Sequence, residues 1–275
     1  MSVKALLIDL SGTIHIDAKA IPGATEAVRK LRASKIPFRF ATNTTKTSSS
    51  KLVDKLNAMG FDVIENEVFT SLSACRDRVS HLRFDFVPLL LMEDAALDEF
   101  KGIDTKDPNC VVVGLAPSKF RYDHMNEAFR LLVHNPSMPL IAVHKAKYFA
   151  DKDEQLSMGP GGFVEALEYA TGTKATVVGK PTKSFFELAL KQIFALFSGM
   201  QDSPENVAMI GDDVNNDLGG GALELGLHRY LGRHLIIMRT GKYRPGDEDK
   251  ADSTNLVVFD SVVQAIEDVL KSIEK

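Results

Sequence analysis

Residues 5–15 read "ALLIDLSGTIH". An apolar run from Ala5 to Leu10 carries one carboxylate, Asp9, and gives way to Ser11, Gly12 and Thr13. A short apolar run without polar alternation, closed by turn residues, reads as a strand buried on both faces, as parallel sheets require. In open parallel sheets ligands bind in the crevice outside the carboxyl ends of the strands. Asp9 therefore stands where chemistry is done, although a lone Asp at a strand end is more often a turn former or helix cap. Ser11 raises a second question, because a carboxylate two residues on would complete a catalytic pair.

The same pattern recurs along the chain. Thr42 and Asn43 follow "FRFA", Lys180 follows "ATVVG", and Asp212 and Asp213 follow "VAMIG". Between these runs lie helical patterns: Ala24, Ala27, Val28 and Leu31 share one face, and Leu52, Val53 and Leu56 another, with Gly60 as a stop. The middle of the chain repeats the theme with strands in "FVPLLLM", "CVVVGL" and "PLIAV", a helix over 120–133 and another in "FVEALEYA". The last third adds a helix over 185–197, a helix after Asp217, strands "LIIM" and "LVVF", and a terminal helix. Alternating strands and helices give an α/β fold, a doubly wound parallel sheet with a second, smaller α/β module inserted in it.

Composition narrows the classes of function. The 275 residues are 44% hydrophobic and 25% charged, enough to bury a real core. A net charge of -4 and scattered basic residues give no footprint for nucleic acid. Apolar stretches of five or six residues fall far short of the roughly 20 needed to cross a bilayer. The first residues read as a buried strand rather than a secretory signal. Cys75 and Cys110 have no metal-type spacing and read as small buried hydrophobes in a reducing cytoplasm.

Four polar strand ends can converge on one crevice. Two carboxylates held close repel unless a divalent cation lies between them, and Mg²⁺ takes one or two carboxylates and keeps several waters. An ammonium and a hydroxyl suit phosphate oxygens. Together they make a site for phosphoryl transfer, in which a carboxylate can attack phosphorus. Each piece alone is weak, since short motifs match by chance, but four in order after the strands of one sheet form a specific combination.

In these four motifs, "LLIDLSGTIH", "FRFATN", "VVGKP" and "MIGDDVNND", the chain resembles the haloacid dehalogenase superfamily of phosphatases. The resemblance covers essentially the whole chain. It implies a catalytic core over 1–82 and 174–275 and an inserted cap over 83–173 that sets the substrate. It implies Asp9 as nucleophile, with Asp9, Asp212 and the Ser11 carbonyl holding Mg²⁺. Thr42, Asn43 and Lys180 would bind the phosphate, with Asp217 supporting the metal and Lys180; Asp213 is a variable position in such proteins. A small phosphorylated substrate is expected, and since large-capped relatives often dimerise through the cap, so is a homodimer.

Ser11 departs from the pattern. Most phosphatases of this superfamily have an aspartate there, which protonates the leaving group and later activates water, and such assistance is worth about 10²–10⁴ in rate. A serine hydroxyl does not titrate near neutral pH, so aryl phosphates, pyrophosphate and phosphoramidates should react better than alkyl phosphates. The competing expectation is a weakly active or non-catalytic protein that binds phosphorylated ligands; a nucleotide-binding fold is disfavoured because neither GxxxxGK nor GxGxxG is present. A second departure is 227–234, "LHRYLGRH". His228, Arg229, Arg233 and His234 could form an anion site, but a solvated loop is the expectation for so polar a stretch.

Overall fold

The computed structural model describes residues 3–81, 86–150, 156–196, 203–232, 246–250 and 252–273. The strand Ala5–Ile8 is wholly buried and lies between two parallel neighbours, Val207–Gly211 and Phe38–Thr42. The sheet continues through His228–Gly232 to Leu256–Phe259 on one side and to Val68–Thr70 on the other, six strands among the described residues, every pairing parallel. Side chains alternate across it, as a strand's period of two dictates. Leu6, Ile8, Phe40 and Ile210 pack with Val28 and Leu31 of helix Ala24–Ala33 and Val262 and Ile266 of helix Val262–Ile273. Ala5, Leu7, Ala41 and Met209 pack with Phe185, Phe186 and Leu190 on the opposite face. Burial on both faces explains the continuous apolar runs.

The expected helices are present with small shifts. Helix Ser49–Ala58 stops before Gly60, whose φ of +89° is cheap only for glycine. The middle helices span Tyr122–His134 and Pro160–Thr171, the latter with Pro160 in its first turn, where a missing N–H costs nothing. Helix Lys183–Leu196 follows, and a short helix, Gly220–Glu224, comes after Asp217. The strand expected at "LIIM" lies outside the described residues.

A second sheet is built from Pro88–Leu91, Cys110–Val113, Leu140–Ala142 and Thr176–Val177, again all parallel. One face, with Val111, Val113 and Leu140, packs on Leu132, Val164 and Leu167 of the two middle helices. From the other face, Val112 and Ile141 join the apolar cluster that holds Leu7 and Phe185, so the two sheets share a continuous core. The expected boundary at 173/174 falls just before the last strand of this sheet. Thr176–Val177 is an edge strand of the smaller sheet, and Val178 N–H and Gly179 N–H still donate to Ala142 and Val143 at 3.0 and 2.7 Å. Gly172, in the left-handed region, ends a helix rather than the module.

Polar contacts also join the modules. Glu99, from the segment between the first two strands of the smaller sheet, accepts the Ser49 N–H at 2.8 Å and the Ser49 hydroxyl at 3.1 Å. It thereby satisfies the N-terminus of helix Ser49–Ala58. Lys51 and Asp98 pair beside it at 2.7 Å.

The segment 227–234 overturns an expectation. Instead of a solvated loop, His228–Gly232 is an interior strand between Val207–Gly211 and Leu256–Phe259. Tyr230 and Leu231 fill opposite cores. Arg229 is 1% exposed and donates to the carbonyls of Leu218, Asp252 and Thr254, the first two at 3.0 and 2.6 Å. Its charge holds the surrounding chain together rather than an anion; Arg233 and His234 lie outside the described residues. Arg229→Met removes the donor to the buried Leu218 carbonyl along with the contacts to Asp252 and Thr254, and a lost buried partner costs about 1–3 kcal/mol. A fall of that size in unfolding free energy by urea titration is the expected result. An unchanged midpoint would contradict the structural role of Arg229.

Candidate active site

Parallel pairing carries Asp9, Thr42 and Asp212 to the same end of three adjacent strands. All three are buried, and so are Lys180 and Asp217. Lys180 reaches in from the chain that returns from the smaller sheet. Its ammonium donates to Asp9 Oδ1 at 2.6 Å, Asp217 Oδ1 at 2.7 Å and the Ala41 carbonyl at 2.8 Å. Burial would pull this lysine's pKa down, but the Asp217 and Asp9 carboxylates outweigh it and hold the group above the ordinary lysine range. Lys180 is therefore a fixed positive charge.

Asp9, Asp212 and Asp217 each offer a carboxylate oxygen within 4.8 Å of the others. Among the described residues three carboxylates converge here on one ammonium, a donor set that fits a divalent cation. The backbone leaves room for this cluster. Gly12 has a φ of +92°, and a Cβ there would overlap the Asp212 carboxylate; a Cβ on Gly211 would overlap Asp217 in the same way.

The remaining residues fix the loops. Asn43 grips the backbone of Lys180 from both sides: its side-chain oxygen accepts the Lys180 N–H and its amide donates to the Lys180 carbonyl, each at 2.9 Å. Thr42 Oγ1 accepts the Thr44 N–H at 3.2 Å, closing a tight turn. Asp213 accepts the N–H groups of Asn215 and Asn216 at 3.0 and 2.9 Å, and its own N–H donates to Asp217 Oδ2 at 3.1 Å. It builds the turn that returns Asp217 to the cluster. Ser11 is exposed, beside the buried carboxylates.

Several neighbours carried no signal in the sequence. Thr13 is buried with its hydroxyl 3.4 Å from Asp9 Oδ2. His15 packs inside with Nδ1 3.0 Å from the Asp17 carbonyl, and burial lowers its pKa to about 4. Among the aromatic and basic residues of the middle segment, Phe120 is spent on a stack with Phe163 at 3.9 Å, and Lys145 on Glu165 and Glu168. Tyr122 points to solvent, while the Lys46 ammonium lies 4.1 Å above the Phe149 ring. Cys75 and Cys110 are buried free thiols, and burial pushes both up to about 12.

Known proteins resemble this chain in sequence and in fold. A family profile described as haloacid dehalogenase-like hydrolase matches residues 6–106, and one described as HAD-hydrolase-like matches 177–265. The chain is 48% identical over 270 residues to haloacid dehalogenase-like hydrolase domain-containing protein 2 of Bos taurus, covering 98% of this chain and 97% of that one. It is 36% identical over 279 residues to phospholysine phosphohistidine inorganic pyrophosphate phosphatase of Homo sapiens, covering 99% and 96%. In fold it matches the 4-nitrophenylphosphatase of Thermotoga maritima, with a TM-score of 0.82, 24% identity and 97% of each chain covered. The chain belongs to the haloacid dehalogenase-like hydrolase family. It is an enzyme of that family's phosphatase/hydrolase class.

Two glycines separate the effect of the cluster from that of backbone strain. Gly12 and Gly102 both have φ near +90°, but nothing lies within 4 Å of a Cβ built at Gly102. Gly102→Ala is expected to cost about 1 kcal/mol in stability and leave turnover intact. Gly12→Ala, which displaces Asp212, should lower kcat/KM at least tenfold beyond any change in the melting curve.

Proposed function

We propose that this chain is a Mg²⁺-dependent phosphatase that acts through an aspartyl-phosphate on Asp9, with small phosphorylated compounds as substrates. The observation that carries the reading is the buried cluster of Asp9, Asp212 and Asp217 around the Lys180 ammonium. Asp9, Asp212 and the Ser11 carbonyl would hold the ion, with Asp217 supporting it. Bound there, Mg²⁺ would screen the negative charge that otherwise keeps a phosphate away from a carboxylate.

The chain's own groups supply the rest. Asp9 attacks phosphorus; the bond from phosphorus to the leaving group breaks, and its electron pair departs with the leaving group. Water then attacks the phosphorus of the acyl phosphate, which frees inorganic phosphate and restores the Asp9 carboxylate. Lys180 sits against Asp9 Oδ1 and neutralises charge as phosphate approaches. Thr42 and the Asn43 backbone offer polar contacts to the phosphate oxygens from the adjoining strand end.

Ser11 sets the choice of substrate in this reading. With no acid at that position, the leaving group departs unassisted or brings its own proton, which favours aryl phosphates, pyrophosphate and phosphoramidates over alkyl esters. Relatives and structural neighbours named for pyrophosphate, phospholysine and nitrophenyl phosphate are consistent with that preference. The cap over the middle of the chain would select among such compounds.

Asp9→Asn is nearly isosteric and cannot attack phosphorus, so turnover should vanish while the melting curve stays within a degree or two. Excess chelator should likewise stop the reaction, with recovery on adding Mg²⁺ and poor recovery with Ca²⁺, which prefers more oxygen ligands at longer distances. Full activity in either experiment would overturn the proposal.

The role of Ser11 is tested by the slope of log kcat/KM against leaving-group pKa. A steep slope is expected for the native chain, and a shallower one for Ser11→Asp, with alkyl phosphates gaining most. The gain should stay below the full factor of about 10²–10⁴, because a new acid needs supporting contacts to hold it. A flat native slope with chemistry limiting would assign the proton to another residue.

A further inference from the structure

Thr45 lies three residues beyond Thr42, on the same loop, and is turned away from the carboxylate cluster toward the smaller sheet. Its hydroxyl accepts the Leu115 N–H at 3.1 Å and lies 3.3 Å from His144 Nε2. Leu115 follows the strand Cys110–Val113, and His144 follows Leu140–Ala142, so the loop is tied to the carboxyl ends of two adjacent strands of the other module. All three residues are buried, with His144 6% exposed.

The hydrogen-bond pattern has a direction. Ala146 N–H donates to His144 Nδ1 at 3.4 Å, so the neutral ring carries its proton on Nε2 and donates it to Thr45. Both lone pairs of the Thr45 oxygen are then occupied, and the hydroxyl has one orientation left. The next turn back along the loop is also closed, by Thr44 N–H on Thr42, and Asn43 between them holds the Lys180 backbone. The segment 42–45 is thus fixed at one end by the larger module and at the other by the smaller.

We propose that His144 is a positioning residue for the hydrolytic reaction: acting through the Thr45 hydroxyl, it sets the loop that presents Thr42 and Asn43 to the phosphate. The inference rests on the reading of that loop as a phosphate-binding one. Its consequence is that the cap contributes to the handling of the phosphoryl group itself, besides any contact with the rest of the substrate.

The test compares four variants with a nitrophenyl phosphate substrate in Mg²⁺. His144→Leu and Thr45→Val remove the contact; His144→Gln and Thr45→Ser keep a donor and a hydroxyl. The first pair should raise KM and the inhibition constant of inorganic phosphate together, by about tenfold, with kcat changed less than threefold. The second pair should fall within threefold of the native chain. If His144 acts through Thr45, the double variant His144→Leu with Thr45→Val is no worse than the worse single variant. Multiplying effects in the double variant would overturn the inference, as would a loss confined to kcat or one that tracks the melting temperature and is not rescued by His144→Gln. Asp9→Asn distinguishes the two levels. If that variant is dead while His144→Leu leaves KM and phosphate inhibition unchanged, the positioning role fails and the phosphatase reading stands. If Asp9→Asn remains active, the phosphatase mechanism fails, and phosphate binding measured directly by calorimetry in the His144 variants decides the positioning role.

Discussion

One ammonium, that of Lys180, organises this protein. It is buried against two carboxylates and a backbone carbonyl, contributed by three separated stretches of chain. A charge removed from water is tolerable only when partners replace the lost hydration. Lys180 therefore demands Asp9 and Asp217, and each demands it. The elements that bring these groups together are the ones that define the larger sheet: the central strand, its two parallel neighbours, and the segment returning from the smaller sheet. With neither carboxylate the ammonium would be a stranded charge in the interior, whereas loss of the Asp9 charge alone leaves it Asp217 and the Ala41 carbonyl.

The two sheets are joined by both apolar and polar contacts. They share an apolar cluster on one side, Glu99 of the smaller module closes a helix of the larger, and Thr45 of the larger is held by the smaller. The loop that carries Thr42 and Asn43 lies where these attachments meet. Geometry at the cluster and geometry of the inserted module are consequently linked.

Most of the larger sheet was legible because parallel strands covered on both faces must be continuously apolar, and polar residues then mark their ends. Asp9, Thr42, Lys180 and Asp212 stand out for that reason, and the family resemblance rests on them. The strand His228–Gly232 was hidden because an interior arginine breaks the rule. Its charge is satisfied by carbonyls 11 to 25 residues away in the chain, which no local pattern reveals. The pairing of the edge strand Thr176–Val177 with the smaller sheet was not legible, since its two residues adjoin a helix end without any break in composition. Thr45 and His144 look like ordinary loop residues, because their meaning lies in a contact 99 positions long.

The pairing of Ala5–Ile8 with Val207–Gly211 also has a temporal side. At about 5–20 residues per second, a ribosome needs roughly 10–40 s to make the intervening chain. Throughout that interval this buried strand can pair with Phe38–Thr42 on one side while its other hydrogen-bonding edge stays open. The inserted module can complete its own parallel sheet first, since its last strand, Thr176–Val177, emerges some thirty residues earlier. Order of synthesis thus lets the insertion pair its strands before the host does, and until Val207–Gly211 arrives the host offers the kind of unpaired edge that aggregation and chaperones act on.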